Sequence, residues 1–279
     1  MLHSRAHYVG ARTFVELKET HVTTVLDIPL SPYAQKVKMA LIEKGVPFEV
    51  QYPDVDAGDA RSQMKNPRAE VPVLLDGELS VFQSSIILEY IEERWPQPAL
   101  LPRDPGERAR VRMLQEICDT TYDAVNWGVA EIMVFKRAEG ELANAILARA
   151  SAQVQALNAR LERDLAERPW FNGASFGFGD IVVYPFVNGA AALGNKPAEG
   201  SKLQAWLKAV RARPSAERLK QEILATMEQF ANRPRDIVSG KHRREYRDHR
   251  LEWMLRVGGL PIVSAGMQAN NIRFSYEIG

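Results

Sequence analysis

The sequence has a single cysteine, Cys118, in 279 residues. No intrachain disulfide can form, and zinc sites built on several cysteines are excluded, which fits a reducing compartment. An excess of charge of one sign is also lacking. With 36 Lys and Arg against 35 Asp and Glu, the formal charge of +1 gives no field that favours nucleic acid or an anionic membrane. No apolar run approaches the roughly 20 residues of a membrane span. The opening segment MLHSRAHYVGARTFVELKE has no apolar signal-peptide core. Internal repeats and low-complexity tracts are absent. A soluble, cytoplasmic protein with no metal site is the expectation. The remaining composition, 46% apolar and 25% charged, is that of a globular chain long enough for two ordinary domains.

The stretch TTVLDIPLSPYAQKVKMALIEKG, from Thr23 to Gly45, carries the densest set of structural signals. Thr23–Leu26 reads as a strand. Ser31 is an N-cap residue type and Pro32 suits the first helical position. Tyr33, Val37, Ala40 and Leu41 recur on one helical face, and Gly45 and Pro47 close the helix. A hydroxyl at the positive end of a helix dipole is well placed to hold an anion. Further on, Phe48–Tyr52 alternates like a strand, and Asp54–Asn66 reads as a polar loop with a short helix. Val71–Leu75 and Leu79–Phe82 form a hairpin about Asp76-Gly77, and a helix starting at Gln83-Ser84-Ser85 ends near Trp95-Pro96. One parallel crossover plus an antiparallel pair makes a four-stranded unit of about 75 residues.

The proline-rich stretch WPQPALLPRDP reads as a linker, after which the pattern is helical. Ile146, Ala150, Val154, Leu157, Leu161 and Leu165 mark one buried helical face. The apolar run Ile181–Leu193 predicts a central helix, with Asp180 at its start to accept unpaired N–H groups. Beyond Pro234, Lys241–Arg256 carries six Lys or Arg interspersed with Glu245, Asp248 and Glu252. Tyr246, His249 or Arg250, Trp253 and Val257 share one face there, which predicts a helix packed on the body or on a partner chain rather than a nucleic-acid-binding segment. The expected organisation is therefore α+β. An extension over 1–20 precedes a mixed domain over 21–96, a linker over 97–104, an all-helical domain over 105–235 and a helical extension over 236–279.

The motifs Ser31-Pro32-Tyr33-Ala34-Gln35-Lys36-Val37, Asn66-Pro67-Arg68-Ala69-Glu70-Val71-Pro72-Val73-Leu74 and Gln83-Ser84-Ser85-Ile86-Ile87-Leu88-Glu89-Tyr90-Ile91 follow one another in register. Together they resemble the cytosolic glutathione S-transferases, most closely the serine-type tau and zeta classes, over residues ~22–230. The resemblance implies a thioredoxin-like N-terminal domain, an all-α C-terminal domain, a homodimer, and glutathione as cosubstrate. It implies that Ser31 donates its hydroxyl to the glutathione sulfur, that Pro72 is cis and turns the Val71 backbone toward the tripeptide, and that Gln83 and Ser84 receive the γ-glutamyl end. A thiol with a pKa of about 8.5 is mostly protonated at neutral pH, so such a donor raises the reactive fraction. Tyr33, Tyr122 and Trp127 are candidates for the electrophile pocket, and core packing is the competing reading for Tyr122, Trp127 and Met133. Gln83 stands where Glu is common in the family, and an uncharged amide holds an ammonium less strongly.

Thiolate attack on an electrophilic small molecule is the implied chemistry. Conjugation, dehalogenation or aryl-ether cleavage could follow, as in detoxification. Serine at position 31 cannot form a mixed disulfide, which argues against disulfide exchange. The alternative is a non-catalytic relative that binds glutathione or a protein partner, with Ser31 serving only as a helix cap.

Overall fold

Strand β1 (Thr23–Leu26) and helix α1 (Pro32–Glu43) open the computed structural model, which describes residues 22–54, 57, 59–230, 236–237 and 241–274. The expected extension over 1–20 lies outside the described residues. After α1 come β2 (Phe48–Gln51), the short α2 (Ala60–Gln63), β3 (Val73–Asp76), β4 (Leu79–Phe82) and α3 (Ser84–Arg94). The sheet order is β2-β1-β3-β4, with β1 parallel to β2 and antiparallel to β3. Val25 pairs with Leu74, and both are fully buried against Val37 and Leu41 of α1 and Ile87 and Ile91 of α3. The ladder starts at Val73 rather than Val71, because Pro72 has no N–H to donate. Gly77, at φ 64°, makes the β3–β4 turn.

The second part is helical. Helix α4 (Pro105–Ile117) is capped by Asp104, whose carboxylate accepts the Glu107 N–H at 2.9 Å. A π-helical turn, Cys118–Tyr122, joins it to α5 (Asp123–Met133). Then follow α6 (Gly140–Leu165), α7 (Phe178–Ala192), α8 (Lys202–Arg211) and α9 (Pro214–Phe230). Helix α7 is buried nearly all round, as its continuous apolar run requires. On α6, Ile146, Ala150, Val154, Leu161 and Leu165 are buried as the period predicts, Leu157 is only half-buried at the edge of the face, and Asn158 joins them to accept the Tyr122 hydroxyl at 2.8 Å.

Helix α1 packs on α7, with Tyr33 edge-on to Phe186 at 5.8 Å between centroids. The buried Lys36 and Lys38 and the half-buried Glu43 of α1 each find a partner across the domain boundary. Lys36 pairs with Asp119 at 2.6 Å, Lys38 with Glu222, and Glu43 with Arg213 at 2.6 Å, while Lys38 also pairs with Asp27 within its own domain. Unpaired, a buried ammonium would cost several kcal/mol, so these contacts fix the angle at which the domains meet. No helix among the described residues is long and apolar enough to cross a membrane.

The tail departs from a single helix. Strand β5 (Arg244–Tyr246) pairs in parallel with β6 (Ile272–Phe274), and between them run α10 (Asp248–Arg256) and α11 (Leu260–Gln268). Tyr246 thus sits on a strand, and the helix begins two residues later with Asp248 in its first turn. The tail packs back on α5. Tyr246 lies edge-on to Trp127 at 4.4 Å, Arg250 donates to Asp123 at 2.7 Å, and Arg244 pairs with the fully buried Glu131. Trp253 presses so closely on α5 that a Cβ at Gly128 would come within 2.0 Å of its ring, so only glycine admits it.

Burial alone would raise the Asp123 carboxyl. The Arg250 charge, with hydrogen bonds from His249 and Arg250, outweighs it and holds the group well below the usual carboxylate range. A carboxylate whose folded pKa lies below its unfolded value stabilises fully above about pH 4, and that contribution disappears as pH falls below it. Acid titration from pH 6 downward is therefore expected to release the tail, read as a change in Trp253 fluorescence. Asp123→Asn should abolish the Asp123-dependent part of that transition. A transition of the same midpoint and amplitude in the variant would remove Asp123 as its cause.

Candidate active site

Pairing of Leu26 with Val73 sets the start of β3 beside the loop that leads from β1 into α1. The candidate residues lie around that junction and at the start of α3. Ser31 caps α1. It is half-buried, its backbone is extended, and its Oγ accepts the Ala34 N–H at 3.3 Å. The cap uses the hydroxyl as an acceptor, so its proton remains available for an anion in front of the helix.

The Val71–Pro72 bond is cis, as expected. Gln83 holds φ 69°, a left-handed conformation uncommon for a non-glycine residue, at a cost of about 1 kcal/mol or more. No side chain caps α3, whose first turn begins with the buried Ser84. The leading N–H groups of that helix are thus left for an external anion.

Val71, Pro72, Gln83 and Ser84 line one cavity, together with Tyr33, Asn66, Glu70 and Arg247. Ser31 caps the helix whose Tyr33 forms one wall, but is not itself among the lining residues. Only about 10 Å³ of room is left, space for a single water. Arg247 is the one lining residue that comes from the tail. Its guanidinium donates to Glu70 at 3.1 Å and to Glu245 at 3.2 Å, and lies 4.7 Å above the centre of the Tyr33 ring. Burial and a hydrogen bond to Glu245 push the Glu70 carboxyl up to about 7. Glu245, half-buried beside it, is held well below the usual range by the charge of Arg247 and the bond from Glu70.

Of the three aromatic candidates, the structure brings only Tyr33 to this cavity. Its hydroxyl donates to the Asp119 carbonyl at 2.6 Å, and burial raises its pKa well above the ordinary value, so it stays protonated. Tyr122 belongs to the core, fully buried on Asn158, and lines neither this cavity nor the next. Trp127 is covered by the tail, under Tyr246 and the guanidinium groups of Arg244 and Arg250. A larger open cavity of about 270 Å³ lies between α3 and α4, walled by Ser85, Ile86, Glu89, Arg112, Gln115, Glu116 and Asp119. Among the described residues no cluster of His, Cys, Asp and Glu could hold a metal ion. Sequence reasoning did not find Asn66, Glu70 or Arg247. For Arg247 the only signal was a tail dense in charge yet periodic in its aromatic residues.

Two family profiles match the chain: the glutathione S-transferase N-terminal domain over residues 25–99 and the glutathione S-transferase C-terminal domain over residues 144–209. Glutathione S-transferase U28 of Arabidopsis thaliana is 33% identical over 227 residues, covering 76% of this chain and 98% of that protein. A glutathione S-transferase of Methylobacterium radiotolerans, solved in complex with glutathione sulfonate, superposes with a TM-score of 0.56 at 29% identity. It covers 70% of this chain and 93% of that one. FzlA from C. crescentus superposes with a TM-score of 0.65 at 26% identity, covering 71% of this chain and 91% of its own.

Proposed function

Because this chain belongs to the cytosolic glutathione S-transferase family, we propose that it binds glutathione in the Val71–Ser84 cavity and delivers its thiolate to an electrophilic small molecule. The single observation that carries the reading is that Val71, Pro72, Gln83 and Ser84, from two separate stretches of sequence, line one cavity at an uncapped helix start. The γ-glutamyl carboxylate would lie at the α3 N-terminus on Ser84, with its ammonium on Gln83. The cysteinyl unit would follow the Val71 backbone, with its sulfur before α1, where the Ser31 hydroxyl donates to it. The thiol proton leaves to solvent and the sulfur lone pair attacks the electrophilic carbon. A thioether bond forms, and a halide or an alkoxide departs where the electrophile carries one. The protein would act in detoxification as a cytoplasmic homodimer, with neither membrane nor nucleic acid as a partner. The near-neutral charge supports the exclusion of nucleic acid and an anionic membrane as partners.

Conjugation of glutathione to chlorodinitrobenzene, followed by thioether absorbance and extended to a panel of halides, enones and aryl ethers, tests the reading. Turnover with at least one of them is expected. One observation favours a second reading, a non-catalytic module: the cavity, walled on one side by Arg247, has room for only about 10 Å³. Glutathione binding without turnover across the whole panel would support that reading instead.

A further inference from the structure

Arg247 lies outside the N-terminal domain that carries the candidate glutathione residues, yet it is a wall of their cavity. It reaches there from the residue between β5 and α10. Pairing with β6 holds the strand, and Arg250 ties the helix to Asp123 on α5. Its guanidinium is gripped on two sides, by Glu70 and Glu245, and stacked on Tyr33. With this side chain seated, the cavity has room for one water and none for a tripeptide.

We propose that Arg247 is an affinity-determining residue of the glutathione pocket, a tail side chain seated in the ligand's space that glutathione must displace in order to bind. This rests on the glutathione reading above. Displacement is feasible because neither acid is stranded when the guanidinium leaves. Glu70 keeps Arg68 at 3.2 Å, and Glu245 keeps Arg273 at 3.5 Å. The released guanidinium is rehydrated, and the two carboxylates retain two arginines between them. Only the fraction of molecules with Arg247 unseated can take the ligand, so the apparent affinity is lowered by that fraction.

Calorimetry with glutathione on the full chain, comparing wild type, Arg247→Ala and Arg247→Lys, tests the proposal. Arg247→Ala is expected to bind about 10-fold tighter or more, and Arg247→Lys, which keeps the charge but less bulk, to fall between. Stopped-flow tryptophan fluorescence gives a second reading. The observed rate should saturate with glutathione concentration in the wild type and rise linearly in Arg247→Ala, because the unseating step has been removed. Should Arg247→Ala fail to fold, Glu70→Gln, which removes one of the two grips, takes its place with the same direction expected. Weaker or unchanged binding in a folded Arg247→Ala protein overturns the proposal and makes Arg247 a ligand contact or a bystander. Folded proteins of which none binds glutathione, wild type and variants alike, overturn the glutathione reading itself and this proposal with it.

Discussion

Alanine at position 180 is expected to destabilise the protein by about 3–4 kcal/mol, a large effect for a single truncation. Asp180 is fully buried and accepts four hydrogen bonds. Oδ1 takes the Phe171 N–H and the Trp206 indole N–H, each at 2.8 Å, and Oδ2 takes the Gly177 N–H at 3.1 Å and the Asn172 N–H at 3.4 Å. Burial pushes its carboxyl up to about 6, and these four donors oppose the rise. The side chain thereby joins the 171–177 loop, the start of α7 and the body of α8. Removing it leaves four buried donors without an acceptor, at about 1 kcal/mol or more each, partly relieved by relaxation. Asparagine would rescue little, because its NH₂ would face N–H donors. Urea unfolding should show a lower midpoint at an unchanged slope. A loss under about 1 kcal/mol would mean that the loop rearranges to satisfy itself without Asp180.

Only the helix-start part of that role, acceptance of the Gly177 N–H, was legible in the sequence, because it is local; the donors from Phe171, Asn172 and Trp206 come from farther along the chain and left no periodic signal. The order of strands, the hairpin at Asp76-Gly77 and the long face of α6 were legible for the same reason, since periods of 2 and 3.6 report which side is buried. The candidate site was legible at Val71, Pro72, Gln83 and Ser84 through motif order, but the shape of the cavity was not. Whether a cavity is open depends on what else is packed into it, and Arg247 lies 163 positions beyond Ser84 in the sequence, on an element whose own period spoke only of packing. Trp127 shows the same limit. Helical spacing leaves it either core or pocket, and only the docking of Tyr246 decides that the tail, rather than a substrate, covers it. Lys36 and Lys38 interrupt the apolar face of α1 in the sequence but are buried in the fold, because Asp119, Asp27 and Glu222 come to them from elsewhere.

Ser31→Ala is expected to lower kcat/KM for conjugation by about 10²-fold, roughly 2.7 kcal/mol of transition-state stabilisation, the scale of losing one oriented donor. The hydroxyl can hold the thiolate because its cap bond to Ala34 uses a lone pair and not its proton. Glutathione affinity should change little, since the proposed contacts to the tripeptide are those of Val71, Gln83 and Ser84, so the loss should appear in kcat rather than in KM. Stability should fall by only about 1 kcal/mol, the usual cost of an N-cap, which separates a chemical defect from a folding one. The pH profile provides the discriminating measurement. With the donor removed, the pKa of bound thiol should move up toward the free value of about 8.5, and the alkaline rise of kcat/KM should move with it. A lower rate with an unmoved profile would make Ser31 a positioning residue for α1, and turnover equal to wild type would leave it a helix cap. Between those outcomes, only a shifted profile requires the hydroxyl to touch the sulfur.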